Sequence, residues 1–177
     1  MNNTEGRNYG IDLTLERFLG DNYYYLITGS VFTSKYKAGD NVWRNTRYNK
    51  GFVLNALFGK EFYFANNRKV LDVNARVTVT GGERYSPILQ SQSVAAKRVI
   101  FDESRAFSEQ LRPLTYADLT VNYRINHRKS SSVFSFQMKN VLGAPIYIDH
   151  NYNYQTGQIE LSKATLVIPN ISYKIEF

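Results

Sequence analysis

The sequence predicts an all-β chain: about seven long antiparallel strands running up and down, as a segment of a transmembrane β-barrel. Three observations carry this expectation. First, apolar and polar residues alternate with a period of two, as in Val167, Pro169, Ile171, Tyr173, Ile175 and Phe177 against Ile168, Asn170, Ser172, Lys174 and Glu176. Such a strand has one apolar and one polar face. Second, the connections alternate short and long, so every short turn falls on one side of the sheet and every long loop on the other, as in outer-membrane barrels. Third, strands of ten or more residues suit the roughly 9–11 needed to cross a bilayer obliquely, whereas globular strands average nearer 5–6.

The first strand is expected from about Tyr9 to Phe18, with Tyr9, Ile11, Leu13 and Leu15 opposing Gly10, Asp12, Thr14 and Glu16. Leu19-Gly20-Asp21-Asn22 supplies turn residues. The second strand, about Tyr23 to Lys37, follows from β-propensity, since its Tyr and Phe residues fall on both faces. Residues 38–46 read as a polar loop holding Trp43, and the third strand as about Arg47 to Phe64. A turn at Ala65-Asn66-Asn67-Arg68 leads to the fourth, about Lys69 to Thr80, where Leu71, Val73, Ala75, Val77 and Val79 give the cleanest alternation. Gly81-Gly82 closes that strand as a turn, and the segment to Pro113 has little periodicity. An irregular stretch of that length counts against a soluble domain and suits the outer side of a barrel. The fifth strand, about Leu114 to Asn126, and the sixth, about Ser132 to Val141, flank a short turn. Residues 142–165 form a second long loop, with room for a hairpin around Tyr154-Gln155-Thr156-Gly157, before the final strand.

Length and composition agree with one domain, residues 1–177. Mean hydropathy is −0.40, and the chain lacks any run of about 18 apolar residues, which excludes a transmembrane helix. The chain has 14 Tyr, 11 Phe and one Trp, a composition that suits strands and membrane interfaces. Phe18, Tyr23, Tyr24 and Tyr25 flank the first short turn, Phe62, Tyr63 and Phe64 abut the second, and Phe177 ends the last strand, so an aromatic belt is expected on the short-turn side. The absence of cysteine excludes a disulfide framework and a cysteine metal site. MNNTEGRNYG has no apolar signal region, so the chain is expected to be either cytosolic or the tail of a longer protein.

Enzyme chemistry finds little support, and no cofactor or metal is expected. His127 sits beside Arg128 and Lys129 in a short turn, and His150 has only Asp149 next to it; a site needs convergent partners. No phosphate-cradling loop or nucleophile elbow is present. The net charge of +7 is compatible with nucleic acid or anionic headgroups, but no concentrated basic stripe supports nucleic-acid binding.

Lys139-Asn140-Val141-Leu142-Gly143, the Tyr/Asn-rich run Tyr152-Asn153-Tyr154-Gln155-Thr156-Gly157-Gln158 and the terminal Val167 to Phe177 together resemble the C-terminal end of TonB-dependent outer-membrane receptors, with the variants of Bacteroidetes-type bacteria most similar. Asn8-Tyr9-Gly10-Ile11-Asp12-Leu13 resembles another strand of that family. The resemblance implies a nutrient importer of the Gram-negative outer membrane with a 22-stranded barrel, of which this chain would be the C-terminal part. The plug domain and TonB-contacting segment of that family have no counterpart here. The implied partners are outer-membrane lipid and lipopolysaccharide, the barrel-assembly machinery, the receptor's own plug and TonB through it; a surface lipoprotein capping the barrel is left open.

Ile171, Tyr173, Ile175 and Phe177 resemble the terminal signature read by the assembly machinery. Asp72, Arg76, Asp118, Arg124, Lys139 and Lys174, together with Asp12, Glu16 and Glu176, are expected on the lumen and plug-facing side. Trp43, Arg44, Tyr85, Tyr147, His150, Tyr152 and Tyr154 are the candidate ligand contacts in the loops. Basic residues near the long loops (Lys35, Lys37, Arg44, Arg47 and Lys50, then Lys97, Arg98, Arg105 and Arg112) are candidates for lipopolysaccharide phosphates. The competing expectations are another outer-membrane barrel, porin-like or enzymatic, and a soluble β-sandwich or lipocalin-like binding module.

Overall fold

The computed structural model describes residues 4–177. Seven long strands form an antiparallel meander in sequence order: β1 (Glu5–Gly20), β2 (Tyr23–Lys37), β4 (Phe52–Phe64), β5 (Lys69–Thr80), β8 (Leu114–Asn126), β9 (Ser131–Lys139) and β12 (Ile168–Glu176). Short β3 (Trp43–Asn45) adds to β2. Two further ladders lie in the loops: β6 (Arg84–Tyr85) with β7 (Glu109–Gln110), and β10 (Pro145–Asn153) with β11 (Gln158–Thr165). The protein is therefore all-β and mainly antiparallel. The main sheet is open, with β1 and β12 as its edges. Among the described residues no helix is long and apolar enough to cross a membrane, which bears only on helices.

Tight turns set the register. Asp21 and Asn22 both adopt positive φ, 52° and 66°, as a two-residue hairpin requires. Ala65, Asn66 and Asn67 do the same between β4 and β5. From these turns the alternation propagates without inversion. Leu13 pairs with Gly29, Gly29 with Leu54 and Leu54 with Val79. Ala75 pairs with Leu119, Leu119 with Met138 and Met138 with Pro169. Directly paired residues share a face, so one apolar surface crosses all seven strands. It is uncovered: Ile11 is 79% exposed, Leu13 73% and Ile171 81%. Among the described residues only Val70 and Ala106 are buried hydrophobics.

The opposite face is polar and hydrogen-bonded. Asp72 accepts from the Tyr24 hydroxyl at 2.9 Å, from Asn74 at 3.0 Å and from Asn122 at 2.8 Å. Thr78 donates to Asn55 Oδ1 at 2.8 Å. The Tyr24 ring lies over its cross-strand partner Gly59, where an added Cβ would stand 2.1 Å from the ring. This is aromatic cover of a strand glycine.

Several expectations need correction. The third long strand begins at Phe52, not Arg47, because Gly51 turns the chain with φ of 83°. The sixth ends at Lys139, since Asn140 takes φ of 53°. The first is longer, Glu5–Gly20. Trp43 lies in a strand rather than a loop, and so do Tyr85, Tyr147, His150 and Tyr152. Residues 81–113 are not irregular: they hold the β6–β7 ladder, helix α1 (Gln90–Ala96) and a 3-10 turn (Glu103–Arg105). The aromatics near the short turns divide between faces. Tyr25, Phe58 and Phe62 follow the apolar parity, while Tyr24 and Tyr63 follow the polar one because they pair with Gly59 and Val70.

The Tyr24–Asp72 bond gives a direct check. Tyr24→Phe is expected to cost about 1 kcal/mol, the usual net value of one hydrogen bond. Gly59→Ala is expected to cost more, about 1–3 kcal/mol, because it displaces the ring as well. Chemical unfolding of the three proteins side by side measures both; equal stability would mean that the ring does not seal this part of the polar face.

Candidate functional site

At the long-loop end, three segments fold over the polar face. The first is residues 47–50, the second 81–84, and the third 109–111. Arg84 N–H donates to Arg47 O at 2.9 Å, and Arg84 Nε donates to Asn49 O at 2.9 Å. Leu111 N–H donates to Glu83 O at 2.9 Å. Gln110 Nε2 joins all three through Lys50 O and Gly82 O, each at 3.0 Å. Arg47 pairs with Glu83 at 2.8 Å. This crossing explains Gly81-Gly82 better than a simple turn: a Cβ on Gly81 would sit 1.8 Å from Lys50 O, and one on Gly82 2.1 Å from Leu111 O. Backbone meets backbone there, so no side chain can yield.

The next loop is pinned by Asn140. Its backbone N–H donates to Asp118 Oδ1 at 3.0 Å. Its side chain donates to Ala144 O at 2.9 Å and Leu166 O at 3.0 Å, and accepts from Ala144 N–H at 3.0 Å. Both ends of the β10–β11 hairpin are thereby tied to the sheet. Asp118 also binds the Arg76 guanidinium, whose Nε lies at 3.2 Å. Asn140 belongs to the Asn-Val-Leu-Gly run noted in the sequence, and its positive φ and Gly143 (φ 61°) are the local signals of this tight turn.

Between these segments and the polar face lies a cleft of about 430 Å³. Arg76, Asp118 and Lys139 line it from the sheet, and Lys50, Arg112 and Tyr147 line it from the loops. Leu111, Leu114, Ile146 and Leu166 supply apolar wall. A smaller cleft of about 210 Å³ holds Tyr85 and His150, whose rings are 4.8 Å apart. Burial holds the His150 imidazole below its ordinary pKa, against the opposing charges of Asp149 and Glu109. A third hollow, about 650 Å³, lies at the short-turn end between Asp72, Arg124, Lys174 and Glu176.

The expected site residues thus separate. Of the nine lumen-facing candidates, Arg76, Asp118 and Lys139 meet at the loop end, and Asp72, Arg124, Lys174 and Glu176 meet at the turn end, while Asp12 and Glu16 join neither group. Of the ligand-contact candidates, Tyr147 reaches the larger cleft and Tyr85 with His150 the smaller. Trp43 stands apart, with Arg7 and Lys37 over its ring at 5.7 Å and 5.6 Å. Arg44 is held by Asp40 at 2.6 Å; Arg44 and the Val42 N–H bring the Asp40 carboxyl down to about 2. Tyr152 and Tyr154 contact one another at 5.0 Å near the hairpin tip. Ile171, Tyr173 and Ile175 continue the apolar face on the edge strand, Tyr173 against Phe134 at 4.7 Å, and Phe177 is exposed. The sequence reading missed Asn140, Leu111, Leu114, Ile146 and Leu166 as site residues. Among the described residues no group of three His, Asp or Glu is placed to hold a metal ion.

Comparison with known proteins returns nothing: no family model, no curated protein and no solved structure matches this chain.

Two outcomes are expected from this geometry. Gly82→Ala must part residues 82 and 111, so amide hydrogen exchange is expected to accelerate across 81–113 while β4, β5 and β8 keep their protection; unchanged exchange would remove the crossing from the account. For His150, the folded state resists protonation. The unfolded state takes up its proton first as pH falls through about 6.5, so stability falls on acidification from there down through the lower folded pKa. His150→Gln is expected to flatten that part of the stability profile, measured by chemical unfolding between pH 7.5 and pH 5 on both proteins (roughly the histidine range).

Proposed function

We propose that this chain forms part of the wall and outer loops of an outer-membrane β-barrel, of the TonB-dependent receptor kind, that takes up a nutrient from outside a Gram-negative cell. The observation that carries this reading is the apolar face running unbroken across seven strands and left open. Water would make such a surface unfavourable at about 25 cal/mol per Å² of apolar area, whereas lipid accepts it. A soluble sandwich or lipocalin-like module needs a second layer or an enclosed interior against that face. Long loops gathered at one end and short turns at the other support the barrel reading. The receptor kind rests on the likeness of the Asn140 turn and the terminal strand to that family. The partners on this reading are outer-membrane lipid, lipopolysaccharide, the assembly machinery, and a plug domain with TonB behind it.

The chain has no cysteine, which makes single-cysteine labelling clean. Leu13→Cys and Ile171→Cys, placed in the intact gene, are expected to react with a membrane-permeant maleimide and to resist a charged one. Thr14→Cys and Ser172→Cys on the polar face are expected to react with the charged reagent once the cells are opened. Recovery of the protein in the soluble fraction, or equal reaction of all four, would sink the membrane reading. Leu119→Arg is expected to lower folding stability in bilayers by about 2–4 kcal/mol. Ligand uptake that survives removal of TonB would favour a porin-like barrel over a receptor.

A further inference from the structure

We infer that the 430 Å³ cleft at the loop end binds a small organic anion with an apolar body. The inference deepens the receptor reading by naming a class of ligand; it uses that reading only for the route by which the ligand arrives.

The charges of the cleft do not cancel. Four cations line it, Lys50, Arg76, Arg112 and Lys139, against two carboxylates, Glu83 and Asp118. Both carboxylates are engaged: Glu83 by Arg47, which stands outside this cleft, and Asp118 by Arg76 and the Asn140 N–H. Among the described residues Lys50, Arg112 and Lys139 have no carboxylate within ion-pair distance. Three cations are thus left facing one concavity, two from loops and one from β9. Apolar side chains supply much of the remaining wall, Leu111 and Ile146 from the loop segments and Leu114 from β8, beside Thr80, Tyr116 and Tyr147. A volume in the range of small-molecule sites, mostly apolar lining and a few convergent charges of one sign are the features of a pocket for an amphipathic ligand. A neutral ligand would leave the cations without partners, and a cation would be repelled. A carboxylate or a phosphate monoester makes charge-assisted hydrogen bonds with Arg and Lys, while its apolar body covers the leucine wall.

Isothermal titration of the intact protein in lipid nanodiscs tests this with four probes sharing one ring system: 2-naphthoate, 2-naphthyl phosphate, 2-naphthalenemethanol and 2-naphthylmethylamine. At least one anion is expected to bind about tenfold or more tightly than the alcohol, with the amine weakest. Which anion leads identifies the head group. Lys139→Gln, Arg112→Gln and Lys50→Gln are expected each to reduce that preference, and the triple variant to abolish it. Leu114→Ala is expected to weaken the anions severalfold, and Lys97→Gln, outside the cleft, to change nothing. Circular dichroism and the thermal midpoint check that each variant folds; if the triple variant does not, the single variants decide. Equal binding of all four probes, no binding at all, or an anion preference that survives in the folded variants would overturn the inference. If the protein is recovered in the soluble fraction or all four cysteines react equally, the same titration without lipid still decides the cleft, so the two readings fail separately.

Discussion

Everything in this protein depends on the phase of a two-residue alternation being kept across six consecutive hairpin pairings. A slip of one residue at any of them would turn a whole strand inside out. Short turns guard against it at β1–β2 and β4–β5, where successive residues sit at positive φ. The consequence is a sheet with two chemically opposite faces and almost no interior, since Val70 and Ala106 alone are buried hydrophobics among the described residues. A domain of this length ordinarily removes about two-thirds of its unfolded surface from water. Here the apolar face is left for something other than the chain's own residues to cover.

The polar face compensates with specific bonds where the apolar face has none. Asp72 gathers three donors from three strands, β2, β5 and β8. Asp118 does the same at the loop end, joining Arg76 on β5 to the Asn140 turn. These two carboxylates stitch adjacent strands side to side, which a single hydrophobic layer does poorly. The second also couples sheet to loops: whatever moves the Asn140 turn moves the hairpin hung on Ala144 and Leu166. The loop cleft therefore has one wall made by the sheet and another hydrogen-bonded to it through Asp118 and Asn140.

Strands were legible in the sequence where local chemistry sets both ends. β5 and β8 have the predicted bounds because Asn67 and Pro113 stand just outside them and the alternation inside is sustained, while β2 is bounded by the Asp21-Asn22 turn and carried by its β-propensity. The start of β4 was not legible, because Gly51 acts through a turn whose hydrogen-bond partner, the Phe32 N–H, is remote in sequence. Residues 81–113 carry no period because their order comes from short bonds within the segment, such as Leu89 N–H to Ile100 O and Asp102 N–H to Pro87 O, and from the crossing of residues 81–84 with 47–50, of which Gly81-Gly82 is the local trace. The polar side of the cleft was half legible: Arg76, Asp118 and Lys139 follow from parity, but nothing local places Lys50 and Arg112 over them. Tyr85 and His150, 65 positions apart, meet only because the hairpin is tied down by Asn140.

The edges sharpen the proposed reading. β1 offers 16 residues of one-sided ladder and no proline, with Tyr9, Ile11, Leu13 and Leu15 exposed beside it. Natural edge strands are kept short, bulged or charged to prevent pairing with other chains. β12 has Pro169, Lys174 and Glu176, yet Ile171, Tyr173 and Ile175 remain exposed along it. An open ladder next to an open apolar face is doubly unfavourable, and covering one does not satisfy the other. Lipid accepts the face but supplies no hydrogen bonds to the edge. A second soluble layer covers the face and leaves the edges bare. Further strands on both sides, closing around the polar face, satisfy both demands together. That is the physical ground for reading this sheet as a sector of a larger barrel.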